Sequence, residues 1–99
     1  MAARQPASNK EIIMSTANVT IYTTAYCPYC VRAKMLLDKK GVSYEEIAVD
    51  RQPDKRIEME MKSGGTSVPQ IFINGKHIGG CDDMYELEMD KELDALLGL

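Results

Sequence analysis

The chain has 99 residues, enough for one domain, and its content of 44% hydrophobic and 27% charged residues is typical of a globular protein. Its formal net charge of −3 argues against a general nucleic-acid binder or a binder of anionic membranes, and no apolar run is long enough to span a bilayer. Three cysteines are an odd and small set for a secreted disulfide scaffold, so we expect a reducing compartment and a cytoplasmic location.

Residues 1–17 are small and polar and follow neither a helical nor a strand period. We therefore expect a disordered extension ahead of a single domain that spans residues 18–99. The extension lacks the apolar stretch of a secretory signal peptide. A less favoured alternative is an organelle transit peptide, because Arg4 and Lys10 precede the first acidic residue, Glu11.

The first predicted strand runs from Val19 to Thr23, which are mostly β-branched or aromatic residues. A helix is predicted to follow from Pro28, because proline is favoured in the first helical turn. Gly41 is predicted to end it. The apolar residues at helical spacing are Val31, Met35 and Leu36.

A second strand is predicted from about Val42 to Val49. Pro53 begins the second predicted helix, and the Gly64–Gly65 pair ends it. Ile57 and Met61 are four residues apart and therefore share one face of that helix.

Ile71–Ile73 is a short apolar run, typical of a strand buried on both faces. Asn74–Gly75 predicts a two-residue hairpin turn, since both residues accept positive φ, with a return strand from Lys76 to Ile78. The last helical region is predicted from about Asp82 to Leu97, with a break near Asp90.

The predicted element order is β-α-β-α-β-β-α, an α/β fold. The βαβ crossover makes the first two strands parallel, and the hairpin makes the last strand antiparallel to its neighbour. The result is a four-stranded mixed sheet flanked by helices. The first helix then begins at one edge of this sheet, where its unpaired N–H groups and its dipole favour an anion.

Cys27 and Cys30 stand at this junction between strand and helix. A helix N-terminus favours the thiolate form of cysteine, and the thiolate is the nucleophile in disulfide exchange. Cys30 lies one turn further along, close enough to form a disulfide with Cys27, and should be the less acidic, resolving thiol. Two alternatives stay open: a coincidental pair of packed cysteines, or a zinc site completed by His77 and Cys81. Otherwise Cys81 is a small buried residue, and His77 is partly exposed.

Several motifs occur together at a spacing that resembles the glutaredoxins of the bacterial dithiol type, over the chain from about Asn18 to Leu99. The sequence C-P-Y-C distinguishes this family from thioredoxins, which usually carry C-G-P-C. The resemblance implies a thioredoxin fold. The matching segments are Ile21–Thr23, Cys27–Cys30, Ser67–Ile73 and Gly79–Asp83.

The resemblance implies an enzyme that reduces glutathione mixed disulfides and protein disulfides, with Cys27 as nucleophile and Cys30 as resolving thiol. It also implies that the backbone of Val68 pairs with the cysteine of glutathione, next to a cis peptide bond before Pro69. Such pairing is a miniature strand addition. The further positions implied to contact glutathione are Tyr29 beside the sulfur, Arg56 at the glycine carboxylate, and Asp82 and Asp83 at the γ-glutamyl end.

Some of these residues have plainer interpretations. Asp82 and Asp83 also suit the first turn of a helix, where acids complement the dipole, and Arg56 could be an ordinary exposed helix charge. The sequence departs from many relatives at Thr24, where a lysine usually lies three residues before the nucleophile. This departure leaves more of the attraction for the glycine carboxylate to Arg56.

The resemblance implies no metal and no permanently bound cofactor, with glutathione as the reductant. The implied partners are glutathionylated or disulfide-containing proteins, of which ribonucleotide reductase is typical for the family, and we expect a monomer. An alternative function is a glutathione-ligated iron–sulfur carrier. Carriers of this family usually have a single active-site cysteine or lack the adjacent proline, so Pro28 disfavours this alternative.

Overall fold

The structure is a computed structural model that describes residues 17–99. The predicted extension therefore lies outside the described residues, apart from Ala17, which packs partly buried against the core. Within residues 17–99, no helix combines the length and the apolar character needed to cross a membrane.

The described part of the chain alternates strands and helices in the predicted order. The second strand is shorter than predicted, and the last helical region divides at Asp90, where the break was expected; Lys91 there has φ 63°. The elements are β1 (Val19–Thr23), α1 (Pro28–Lys39), β2 (Glu45–Ala48), α2 (Pro53–Ser63), β3 (Gln70–Ile73), β4 (Lys76–Gly79), α3 (Cys81–Met89) and α4 (Leu93–Leu96).

The strands form one four-stranded mixed sheet in the order β2-β1-β3-β4, which confirms the predicted fold class. β1 pairs parallel with β2 and antiparallel with β3, and β3 pairs antiparallel with β4. All four residues of β3 are buried, as expected for a central strand. Asn74 (φ 54°) and Gly75 (φ 80°) make the predicted hairpin turn.

Helices cover both faces of the sheet. Successive strand residues point to opposite sides, so each strand contributes to the core on either face. Ile21 belongs to the larger core, together with Leu37 of α1 and Met84 of α3. Its neighbour Tyr22 belongs to the smaller core, together with Met59 of α2. The sheet is therefore packed on both faces.

The helical periods were predicted correctly, but only one of the apolar residues named for α1 marks its buried face. Leu36 is buried in the core, whereas Val31 and Met35 are 50% and 61% exposed. Ile57 and Met61 do share a face of α2, and that face is exposed. The side chains of α1 and α2 that are buried are Cys30, Ala33, Leu36, Leu37 and Met59.

Strand direction brings three chain segments to one edge of the sheet. β1 ends at Thr23, and β3, which runs antiparallel to it, begins at Gln70 on the same edge. β4 runs antiparallel to β3 and so ends at Gly79 on that edge. The start of α1, the loop before β3 and the start of α3 therefore meet there.

Candidate active site

Cys27 caps the N-terminus of α1. Its backbone is extended (φ −111°, ψ 103°), and Pro28 begins the helix directly after it. The Sγ atom accepts the backbone N–H of Cys30 at 3.2 Å, so the sulfur takes the place of a side-chain oxygen cap. The first turn of α1 contains no acidic residue, and the thiol is only half-buried. The position suits a reactive anion.

Cys30 lies in a different environment although it is in the same turn. It is 2% exposed. Burial, and then the hydrogen bond to the Cys27 side chain, raise the pKa of the Cys30 thiol to about 12. Cys30 is therefore protonated at neutral pH, and its role as the resolving thiol stays a prediction.

The loop before β3 faces the Cys27 sulfur. A cis peptide bond joins Val68 to Pro69, as the resemblance implied. The Cys27 Sγ atom lies 3.9 Å from the carbonyl oxygen of Val68. The backbone on which a peptide-like substrate would pair thus lies directly beside the proposed nucleophile.

Gln70 braces this loop, a role that was not inferred from the sequence. Its side chain is 6% exposed, and its Nε2 atom donates to the carbonyl oxygen of Ser67 at 3.0 Å. Its Oε1 atom lies 2.7 Å from Nε2 of His77. Because Gln70 Oε1 can only accept, His77 Nε2 must be the donor. The signal in the sequence was a polar residue at the start of a buried strand.

A groove of about 330 Å³ runs along this edge of the sheet. Its walls are Tyr29 of α1, the loop before β3 and the first turn of α3. The structure therefore brings together five of the residues predicted to contact glutathione: Tyr29, Val68, Pro69, Asp82 and Asp83. Their binding roles stay predictions.

The two aspartates at the start of α3 differ in their surroundings. Both are exposed, but the Asp83 carboxylate accepts the backbone N–H of Gly80 at 2.9 Å and so caps the helix. Cys81, the first residue of α3, is buried, and burial raises the pKa of its thiol. It is the small buried residue that was expected.

Arg56 and Thr24 do not line the groove. The guanidinium of Arg56 donates to the carbonyl oxygen of Thr66 at 3.2 Å, and its Nε lies 3.7 Å from a carboxylate oxygen of Glu60. Thr24 lines a second cavity, of about 390 Å³, which has no lining residue in common with the groove. A contact between Arg56 and the glycine carboxylate stays a prediction.

The zinc site considered as an alternative would need a cluster of metal-ligating side chains. Within residues 17–99, no group of three or more histidine, cysteine, aspartate or glutamate side chains is arranged to hold a metal ion. His77, one of the four proposed ligands, is exposed, and its ring packs at a tilt of 36° against Phe72 with centroids 5.0 Å apart.

The comparison with protein families decides the family of the chain. Residues 19–78 match the glutaredoxin family model. The chain belongs to the glutaredoxin family. It is 58% identical to glutaredoxin 3 of Escherichia coli K12 over 81 residues, which cover 82% of this chain and 98% of the relative. It is also 58% identical to a glutaredoxin of Pseudomonas aeruginosa over 79 residues, covering 80% and 94% of the two chains.

Solved structures agree with this glutaredoxin fold. The solution structure of glutaredoxin from Brucella melitensis is 51% identical, with a TM-score of 0.73, and the match covers 82% of this chain and 88% of that one. A buckwheat glutaredoxin–glutathione complex is 34% identical, with a TM-score of 0.76, covering 85% and 79%. The chain is therefore a thioredoxin-fold enzyme, a glutathione-dependent thiol oxidoreductase.

Proposed function

We propose that this glutaredoxin reduces glutathione mixed disulfides and protein disulfides, with Cys27 as the nucleophile and Cys30 as the resolving thiol. One observation carries the proposal. The Cys27 sulfur caps α1, accepts the N–H of Cys30 at 3.2 Å and lies 3.9 Å from the Val68 carbonyl. A half-buried sulfur held by a backbone donor, beside a groove, suits attack on a disulfide that enters from solvent.

With a glutathione mixed disulfide, the Cys27 thiolate attacks the sulfur of the glutathione half. The substrate S–S bond breaks, and the protein half leaves as a thiolate that takes up a proton. Cys27 now carries glutathione in a mixed disulfide. A second glutathione thiolate attacks that glutathione sulfur, which releases oxidised glutathione and restores the Cys27 thiolate.

With a protein disulfide, Cys27 attacks one sulfur and the other leaves as a thiolate. Cys30 then loses its proton and attacks the Cys27 sulfur, so the client leaves with two thiols and the enzyme holds a Cys27–Cys30 disulfide. Two glutathione molecules return the enzyme to the dithiol form. The separation of the two cysteines by one helical turn supports this second step.

The groove supports a bound glutathione in an extended conformation. The Val68 backbone would pair with its cysteine, Tyr29 would pack beside the sulfur, and the start of α3 would receive the γ-glutamyl end. That a buckwheat relative was solved as a glutathione complex supports this placement. We further propose a monomer that acts in the cytoplasm on disulfide-containing or glutathionylated clients, ribonucleotide reductase among them.

The test is an assay that couples the oxidation of glutathione to the reduction of a small mixed disulfide. Cys30→Ser should keep activity on the mixed disulfide, because glutathione can itself resolve Cys27. The same variant should lose activity on a protein disulfide. Equal loss on both substrates would contradict this division of labour.

Anaerobic purification tests the alternative function as an iron–sulfur carrier. We expect a colourless protein that is active in the coupled assay. Visible charge-transfer bands that disappear in Cys27→Ser would instead support the carrier.

A further inference from the structure

The second cavity adjoins both active-site cysteines. Its lining includes Cys27 and Cys30 together with Lys34 and Glu46. Lys34 is four residues after Cys30 on α1, and residues at this spacing are neighbours on one face of a helix. A lysine thus lies on the face of α1 that carries the buried thiol.

The ammonium group of Lys34 is held in place. Its Nζ atom lies 2.9 Å from Oε2 of Glu46 on β2, and that same oxygen accepts the hydroxyl of Thr23 on β1 at 2.9 Å. The side chains of Lys34 and Glu46 are 29% and 38% exposed, so water screens the pair only in part. The contact with Glu46 raises the pKa of Lys34, which remains a cation at every pH at which the enzyme would work.

Other charged groups also line the cavity around Cys30. Asp50 accepts the backbone N–H of Ala25 at 3.1 Å, and Arg51 is exposed at the rim. Burial is the largest influence on the Cys30 thiol and disfavours its thiolate. Two influences favour the thiolate: a hydrogen bond with the backbone of Thr24, which is the larger, and the positive charge of Lys34. The Cys27 side chain acts in the same direction as burial.

We propose that Lys34 is a positioning residue for the resolving step: its ammonium, anchored by Glu46, stabilises the thiolate that Cys30 must form before it attacks Cys27. This inference rests on the proposed dithiol function. In the step, the Cys30 proton passes to water, the Cys30 sulfur bonds to the Cys27 sulfur, and the bond from Cys27 to the substrate sulfur breaks. The departing thiolate takes up a proton.

The expected effect is modest. Each unit by which the Cys30 pKa rises lowers the thiolate fraction about tenfold, and the stronger nucleophilicity of a more basic thiolate restores about half of this loss on a logarithmic scale. The resolving step should therefore slow about threefold for each pKa unit, and a screened charge should give a total loss of about two- to tenfold.

The first experiment follows one turnover with oxidised glutathione by mass spectrometry of acid-quenched samples. Lys34→Gln should leave the formation of the Cys27–glutathione adduct unchanged and slow its conversion to the internal disulfide. Lys34→Arg should restore the rate, because it keeps the positive charge. Lys39→Gln, an exposed lysine in the last turn of α1, is the matched control and should change neither step.

The second experiment does not depend on glutathione. In a Cys27→Ser/Cys81→Ser background, Cys30 is the only thiol, and its alkylation rate by iodoacetamide is followed from pH 7 to 10. Added Lys34→Gln should lower this rate at each pH, and added Lys39→Gln should not. Equal rates in both variants would overturn the role of Lys34. Absence of the glutathione adduct in the unmodified enzyme would instead count against the proposed function alone.

Discussion

Helices α1 and α3 both begin beside the groove, and each has a cysteine at its start, Cys27 as the cap of α1 and Cys81 as the first residue of α3, but their first turns are built differently. Cys27 caps α1, its sulfur accepts a backbone N–H, and no acid lies in that turn. At α3 the carboxylate of Asp83 accepts the Gly80 N–H at 2.9 Å, and the thiol of Cys81 is buried. The same residue type thus stands at two helix starts with opposite consequences.

The two helix starts differ in whether the sequence places a carboxylate in the first turn. A helix N-terminus favours negative charge whatever its source. At α3 two carboxylates provide that charge, and Cys81 serves as a packing residue. At α1 the sulfur is the available acceptor, so the stabilisation that the helix offers acts on the sulfur of the proposed nucleophile.

The largest expected effect is the loss of turnover when the sulfur at the start of α1 is removed. The same change at the start of α3 is the comparison. Cys27→Ser should reduce mixed-disulfide turnover to the uncatalysed rate, because a serine hydroxyl provides no thiolate. The matched change Cys81→Ser should retain most of the turnover, since a buried thiol with a raised pKa takes no part. Comparable losses in the coupled assay would refute the distinction between the two starts.

A smaller effect is expected on stability at the start of α3. Asp83→Ala should cost about 0.5–1.5 kcal/mol, because the start of the helix loses the hydrogen bond from the Gly80 N–H. For a domain of about 100 residues, each kcal/mol corresponds to a Tm about 4–8 °C lower. Asp82→Ala is the control: it removes a first-turn acid but keeps the hydrogen bond between Gly80 and Asp83, and it should lower Tm less. If thermal unfolding shows the same loss in both variants, the cap at Gly80 contributes nothing.

The smallest effect is expected from adding a charge near the start of α1. Thr24→Lys should lower KM for a glutathione mixed disulfide by less than about tenfold, since an exposed charge pair contributes about 0.2–1 kcal/mol and tenfold needs about 1.4 kcal/mol. The gain should shrink in added salt. Arg56→Ala should raise KM by a similarly small factor. Unchanged KM in both variants, at two salt concentrations, would mean that the glycine carboxylate is held elsewhere.

The backbone preferences of single residues made much of the fold predictable. Pro53 begins α2, Gly64 ends it in the left-handed conformation (φ 75°), and Asn74–Gly75 forms the hairpin turn. Each of these residues acts through its own backbone preferences, so no distant partner has to be known.

The buried faces of the helices were less predictable. Met59 is buried, whereas Ile57 and Met61, which mark an equally good helical stripe, lie on the exposed face. A helix of this length offers several apolar directions, and packing against the sheet decides among them. Strand β2 is shorter than predicted because its pairing with β1 begins only at Glu45, and this pairing also depends on a distant part of the chain.

The parts of the candidate site that belong to a sequence motif were predictable. The contacts between residues that are distant in the sequence were not. The cysteine pair and the Val68–Pro69 loop were found from their sequence. The brace from Gln70 to His77 joins β3 to β4, and the contact from Arg56 to Thr66 joins α2 to a loop. Such contacts depend on side-chain placement across the fold, which one sequence does not supply.

The most direct test of the central claim measures the alkylation of each cysteine separately by iodoacetamide, with peptide mass mapping between pH 7 and 10. The account predicts that Cys27 reacts first at pH 7, and that Cys30 and Cys81 react much more slowly. A raised pKa keeps a thiol protonated to higher pH, so the rates at Cys30, whose pKa is about 12, and at Cys81 should continue to rise above pH 9. Faster modification of Cys30 or Cys81 than of Cys27 at pH 7 would contradict the account.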